Sequence, residues 1–174
     1  LENWAYEEEC LALFAKHYET GEVIPSDLIK KIKDSASFHA GRGTMRQLSF
    51  ALLDMAWHSK DNSSVKDAES FEKEAMSSTT LLPSVEGTMM STSFGHIFPG
   101  GYSSGYYSYK WAEVLDADAF EHFKENGIFN REIANKFKDN ILSKGGTEHP
   151  MELYKKFRGA EPTPDALLKR SGLV

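Results

Sequence analysis

The sequence predicts an all-α protein. Three observations carry that expectation: apolar residues return every three, four and seven positions along most of the chain, glycine, proline and serine-rich turns interrupt the pattern at helix-length intervals, and 174 residues at 40% apolar content suffice for one core. A chain of this length buries roughly 70% of the surface its unfolded form exposes. The whole of 1–174 is therefore expected to be a single helical unit with no dividing linker and no internal repeat.

The opening residues 1–18 read as the inside of a helix, with Leu1, Trp4, Leu11, Phe14 and Tyr18 on one face and Glu7, Glu8 and Glu9 solvated between them. Gly21 is placed to stop that helix. Ile24-Pro25-Ser26-Asp27 opens the next, with Ser26 as the candidate cap and Leu28, Ile29 and Ile32 inward. A long central helix carries Met45, Leu48, Leu52, Met55 and Ala56 inward and ends near Trp57-His58, before a polar turn over 59–64. Residues 65–76 form a shorter charged helix with Val65, Ala68, Phe71 and Ala75 facing the core.

Residues 77–104 break the pattern, being rich in Ser, Thr, Gly and Met without a helical period. Irregular stretches longer than about 12–15 residues are uncommon in compact domains and are often functional. Helices then resume: one with Tyr106, Tyr109 and Val114 on overlapping faces, a short turn at Ala119, Phe120 and Phe123, and an Asn130-capped helix through Ile133, Phe137 and Ile141 that Gly145-Gly146 ends. A last piece opens at Thr163-Pro164, with proline at the first helical position, and carries Leu167 and Leu168.

Charge and motif content exclude several functions. Lys plus Arg number 20 against 26 Asp plus Glu, a net charge of −6, so there is no broad basic footprint and nucleic acid is not an expected partner. No apolar run approaches the roughly 20 residues of a membrane span, so no membrane partner is expected. Cys10 stands alone, which removes an internal disulfide and a cysteine zinc cluster. His17, His39, His58, His96, His122 and His149 make no His-x-x-x-His pair, and no phosphate loop, dinucleotide fingerprint or Gly-x-Ser-x-Gly elbow is present. His58 reads as a partly exposed residue at a helix end, favoured by the dipole.

One segment concentrates chemistry. Between Phe94 and Trp111 lie four of the seven tyrosines, with Gly100-Gly101 and Gly105 permitting close approach of a ligand to the main chain, so the segment reads as a mobile loop entering a helix. A tyrosine hydroxyl, with an ordinary pKa of about 10, is a neutral donor that can bond a developing oxyanion. If the helix starts by Tyr102, then Tyr102, Tyr106 and Tyr109 share a face and Tyr107 points elsewhere. The plainer alternative has equal weight: half-buried aromatics wedging a glycine-rich turn against the core.

Across these segments the chain resembles the C-terminal part of the thimet oligopeptidase family of zinc metallopeptidases, which includes oligopeptidase A, dipeptidyl carboxypeptidase and neurolysin. The likeness rests on LENWAYE, AKHYETGEVIP, RQLSFALLDMAWH, FGHIFPGGYSSGYYSYKWAEVLDADAF and NILSKGGTEHPMELYKKFRGAEPTPDALLKRSGL, which occur in the family's order and cover nearly the whole chain. The spelling His-Ile-Phe-x-Gly-Gly-Tyr is nearer the bacterial branch.

The resemblance implies a zincin-type helical domain around a channel, with zinc held by a His-Glu-x-x-His helix and a later glutamate. All three ligands would lie upstream of residue 1, the nearest about one or two helical turns before it. It further implies that Tyr109 stabilises the tetrahedral intermediate and Tyr102 assists, that His96 and Tyr106 contact substrate, and that Gly100 and Gly101 let the loop close. The expected function is then hydrolysis of short peptides by a zinc oligopeptidase or peptidyl-dipeptidase, with zinc as cofactor of the intact enzyme, none in this chain, and the missing N-terminal part of the same polypeptide as partner. The segment alone is expected to be inactive, and the enzyme cytoplasmic. The rival reading is a non-enzymatic helical module that binds peptides in its tyrosine-rich groove.

Overall fold

The computed structural model describes residues 2–174, and Asn62 by its backbone. Among the described residues there are eight α-helices, joined by short 3-10 and π turns, and no β-strand; a single antiparallel bridge links Lys16 and Val23. The chain gathers into two compact units, one formed by Leu1–Phe38 with Glu113–Val174 and one by His39–Ala112.

In the first unit the expected opening helix is broken. A 3-10 turn over Glu2–Tyr6 precedes α1, Glu8–Phe14, because Glu7 is extended at φ −95°, ψ 131°. Trp4 and Leu11 pack inward as the pattern predicts: Trp4 meets Phe120 and Phe123 edge-on at 4.6 and 5.0 Å and donates its indole N–H to the Ile128 carbonyl, and Leu11 is buried. Phe14 and Tyr18 do not, at 62% and 88% exposure, since the chain leaves the helix after Phe14 for the Lys16–Val23 bridge. Gly21 turns that hairpin at φ +72° rather than ending a helix. The Leu1 position lies outside the described residues.

Helix α2 spans Ser26–Ala36. Pro25 occupies the cap position, so Ser26 is the first helical residue and its hydroxyl donates to Glu8 instead of capping. Only Ile29 of the three expected residues is buried; Leu28 and Ile32 flank it and stay exposed.

Helix α5, Ser108–Asn126, is continuous through Ala119, Phe120 and Phe123, which the sequence pattern assigned to a separate turn. Those three residues join Ile128, Ile133, Tyr154 and Phe157 in the core of this unit. Helix α6, Arg131–Phe137, begins at Asn130, whose side-chain oxygen accepts from the amides of Glu132 (2.9 Å) and Ile133 (3.3 Å). A π turn over Lys138–Leu142 extends it, and Gly145 in the left-handed region follows. Asn130→Ala is expected to cost about 1 kcal/mol in urea unfolding, because two first-turn amides lose their acceptor; an unchanged midpoint would show that solvent replaces the cap fully.

Helix α7, Pro150–Arg158, is absent from the periodicity reading. Its signals are present but compressed into nine residues: His149 caps the Met151 amide, Pro150 takes the first position, and Leu153, Tyr154 and Phe157 form one buried stripe. The Tyr154 hydroxyl donates to the buried Asp118 at 2.5 Å, and burial followed by that carboxylate raises its pKa. Helix α8, Asp165–Arg170, starts one residue after the expected place, with Pro164 as its cap and Leu167 and Leu168 half-buried.

In the second unit α3 spans Ala40–Ser59 and α4 spans Ala68–Met76. Helix α4 starts at Ala68 rather than at Val65, because Asp67 accepts the Ser70 amide at 2.8 Å and caps it there; Phe71 is buried as expected, against Trp57, with ring centroids 4.3 Å apart. Helix α3 is rotated relative to expectation. Its buried face is Ser49, Phe50, Leu53 and Asp54, whereas Leu48, Leu52 and Met55 are about 40% exposed. Apolar residues line more than one side of this helix, so periodicity does not select the inner face, and two polar residues on that face are satisfied internally. The Ser49 hydroxyl donates to Thr79 at 2.6 Å, and the Asp54 carboxylate accepts two backbone amides. Residues 77–104 hold no α-helix, only the 3-10 turns Ser77–Thr79 and Gly95–Ile97.

Candidate active site

The loop over 94–107 is built on a small aromatic core. Phe94 and Ile97 are 2% and 0% exposed and pack with Phe50, Leu53 and Tyr106. Between them the backbone folds on itself: the Gly100 amide donates to the Gly95 carbonyl at 2.8 Å, the Tyr102 amide to the His96 carbonyl at 3.0 Å, and the Ser103 hydroxyl to the Ile97 carbonyl at 2.6 Å. The sequence suggests a mobile loop, and the structure shows one tied at successive points. Gly100 sits where chains cross; a Cβ there would lie 2.8 Å from both the Gly95 carbonyl oxygen and the His96 Cα. Gly101 next to it has φ +82°.

Two acids, from α3 and α4, fix this segment and the residues just before it. Glu72 accepts the Met90 amide (2.7 Å), the Ser91 amide (2.6 Å) and the Ser91 hydroxyl (2.6 Å), and Ser91 in turn accepts from the Trp57 indole at 2.9 Å. Asp54, fully buried, accepts the Ser104 and Tyr106 amides at 2.9 Å each. His58, as expected, lies at a helix end, where its Nδ1 faces the Asp54 carboxylate at 2.9 Å and the Asp54 backbone carbonyl at 2.8 Å.

The loop brings His96, Tyr102, Tyr106 and Tyr109 into one ring cluster. Tyr102 and Tyr109 are stacked at 5.1 Å with planes 28° apart, and Tyr106 lies 5.1 Å from Tyr109. The His96 ring is 5.9 Å from Tyr102, 5.9 Å from Tyr106 and 6.2 Å from Tyr109. The condition set by spacing is not met, since α5 begins only at Ser108; turns rather than a shared helix face gather the three tyrosines. Tyr107 points elsewhere and is 58% exposed.

Burial divides the tyrosines. Tyr106 is 9% exposed, meets Phe50 and Phe94, and donates its hydroxyl to the Gln47 side chain at 3.3 Å, so it acts as the wedge of the plainer reading. Burial raises its pKa against the opposing charge of Arg46. Tyr102 and Tyr109 are 37% and 38% exposed. The Tyr102 hydroxyl holds Tyr109 above its ordinary pKa, with lesser contributions from burial and Tyr106. Tyr109 is thus a neutral hydroxyl at pH 7, offered on an accessible rim.

Among the described residues no three His, Cys, Asp or Glu side chains gather as one metal ion requires. Among the described residues no helix is long and apolar enough to cross a membrane.

The family model described as peptidase family M3 matches residues 1–173. The chain belongs to peptidase family M3. This M3 chain is 45% identical to oligopeptidase A of Escherichia coli over 99% of its own length and 26% of the relative's. Oligopeptidase A of Salmonella typhimurium gives the same figures, and dipeptidyl carboxypeptidase of Escherichia coli is 36% identical over 99% of this chain and 26% of that protein. The M3 chain therefore spans about a quarter of the length of these relatives. Asp54 and Glu72, the acids that hold its loop, escape sequence reasoning. The one signal for Asp54 was an acid inside the apolar run Phe50–Trp57, four residues before His58.

Proposed function

We propose that this chain is the C-terminal segment of one larger catalytic domain, in a zinc-dependent M3 peptidase that hydrolyses short peptides, and that it supplies tyrosine donors and substrate contacts rather than metal ligands. The observation that carries the reading is the stacked Tyr102–Tyr109 pair: two accessible hydroxyls fixed on a tied loop in a chain matching family M3. The relatives' names, oligopeptidase A and dipeptidyl carboxypeptidase, support peptides as substrates.

In this reading the Tyr109 hydroxyl donates a hydrogen bond to the oxygen that becomes negative when the scissile carbonyl is attacked, and Tyr102 orients that hydroxyl from its stacked position. A neutral donor suits this role because its hydrogen bond strengthens as the carbonyl oxygen gains negative charge. His96 and the edge of Tyr106 contact the peptide, and Gly101, where a Cβ would meet nothing within 4 Å, leaves the main chain open to it, while Gly100 permits the close fold of the loop. In this reading the zinc ion that the family implies takes its ligands from the rest of the polypeptide, and the residues of this chain act beside it.

The test is hydrolysis of a short quenched peptide by the full-length protein. Cleavage that a chelator abolishes and zinc restores is expected, with residues 1–174 alone inactive. A folded, zinc-loaded protein that binds the peptide without cleaving it would favour a peptide-binding module.

A further inference from the structure

We infer that Asp54 is a positioning residue for the tyrosine loop, holding Tyr106 and through it Tyr109 and Tyr102 in register; the catalytic consequence rests on the function proposed above. The acid is fully buried, and its two carboxylate oxygens take the Ser104 and Tyr106 amides, one each, at 2.9 Å. Those amides lie just before α5, where the chain has no helical carbonyl to receive them.

Ser104 shows why an anion is needed there. It has φ +55°, a left-handed conformation that a serine adopts at an energetic cost and that persists when surroundings enforce it. The turn it makes aims two nearby amides inward, and a carboxylate satisfies both with charge-assisted bonds. Tyr102 lies two residues before this clamp, Tyr106 within it, and Tyr109 one turn after it, with the Tyr109 amide donating to the Tyr106 carbonyl at 3.2 Å. The rings that must meet are thus all referenced to Asp54.

His58 completes the clamp. Its Nδ1 is shared between the Asp54 carboxylate and the Asp54 backbone carbonyl, so the imidazole braces the acid from the solvent side of α3, with 23% of its own side chain exposed. The carboxylate then has three donors, and no buried side-chain polar atom among the described residues lacks a partner.

The experiment uses the full-length, zinc-loaded protein and two readouts. By amide hydrogen exchange, Ser104 and Tyr106 in the wild type are expected to be protected, and in Asp54→Asn to exchange about tenfold faster or more while the Phe50–Leu53 stretch of α3 is unchanged. By kinetics per bound zinc, Asp54→Asn is expected to lose about a hundredfold in kcat with KM nearly unchanged, since displacements near 1 Å carry losses of that order. Combined with Tyr109→Phe it should be little worse than Tyr109→Phe alone, because both act through the same hydroxyl. His58→Gln, which keeps a donor, is expected to retain most of the rate.

Wild-type Ser104 and Tyr106 amides exchanging as fast as open loop amides would overturn the inference, and this readout needs no variant to fold. So would Asp54→Asn at wild-type kcat while Tyr109→Phe is impaired. If Tyr109→Phe is itself unimpaired, the proposed role of Tyr109 fails, and the exchange data alone decide whether Asp54 holds the loop.

Discussion

Tyr109→Phe in the full-length M3 peptidase is expected to lower kcat by about 10²–10³-fold, the range seen on removing one oxyanion donor, with KM little changed. The structure makes this a clean deletion. Phenylalanine keeps the ring stacked on Tyr102 at 5.1 Å and beside Tyr106 at 5.1 Å, so packing survives and one hydroxyl is lost. At 38% exposure that hydroxyl leaves no buried polar group unpaired, and thermal stability is expected to hold. A group that bonds the transition state more strongly than the substrate appears in kcat, which separates this role from simple peptide binding. Steady-state kinetics of purified wild type and variant decide it; a Tyr109→Phe enzyme at wild-type kcat removes Tyr109 from the reaction.

The same pair gives a pH signature. The Tyr102 hydroxyl raises the Tyr109 pKa, so the donor form of Tyr109 persists to higher pH than an ordinary tyrosine. Tyr102→Phe removes the largest cause of that rise. The alkaline limb of the kcat profile is therefore expected to move to lower pH in Tyr102→Phe.

The Asn130-capped helix was legible in the sequence: Asn130 caps where its residue type indicates, and Ile133, like Phe71 in α4, turns inward as the period requires. Legibility fails where polar groups are satisfied at long range. Ser49 and Asp54 occupy the inner face of α3 because Thr79 and the 104–106 backbone complete their bonds, and no local pattern announces partners 30 and about 50 residues away. It fails again at α7, where a nine-residue helix is too short for periodicity to stand out from its flanking glycines. The tyrosine cluster is an intermediate case: the residues were marked by density and spacing, but the folding back of 95–103 joins them, not the helix that spacing invokes.

That crossing makes Gly100→Ala the most damaging small change expected in the loop. The added Cβ would sit 2.8 Å from the Gly95 carbonyl oxygen, 2.8 Å from the His96 Cα and 3.0 Å from the His96 carbonyl oxygen, and all three are backbone atoms that no rotamer change can move. The crossing has to open, which stretches the Gly100–Gly95 and Tyr102–His96 bonds and carries His96 and Tyr102 away from Tyr109. Misplacement near 1 Å suffices for about a hundredfold loss of rate. The core beneath, centred on Phe94 and Ile97, is not invaded, so the stability cost is expected to stay within the roughly 1–3 kcal/mol typical of overpacking. Two neighbouring glycines serve as controls. At Gly105 the nearest atom to a new Cβ is the Tyr102 carbonyl oxygen at 3.5 Å, an ordinary contact, so Gly105→Ala should be nearly silent. At Gly101 the space is open but φ is +82°, so Gly101→Ala should cost about 1–2 kcal/mol through backbone strain and lose less rate than Gly100→Ala. Rates and unfolding midpoints of the three alanine variants separate the cases. If Gly100→Ala and Gly105→Ala prove equally active, the chain crossing does not set the tyrosine geometry, and positioning rests on the carboxylate clamp alone.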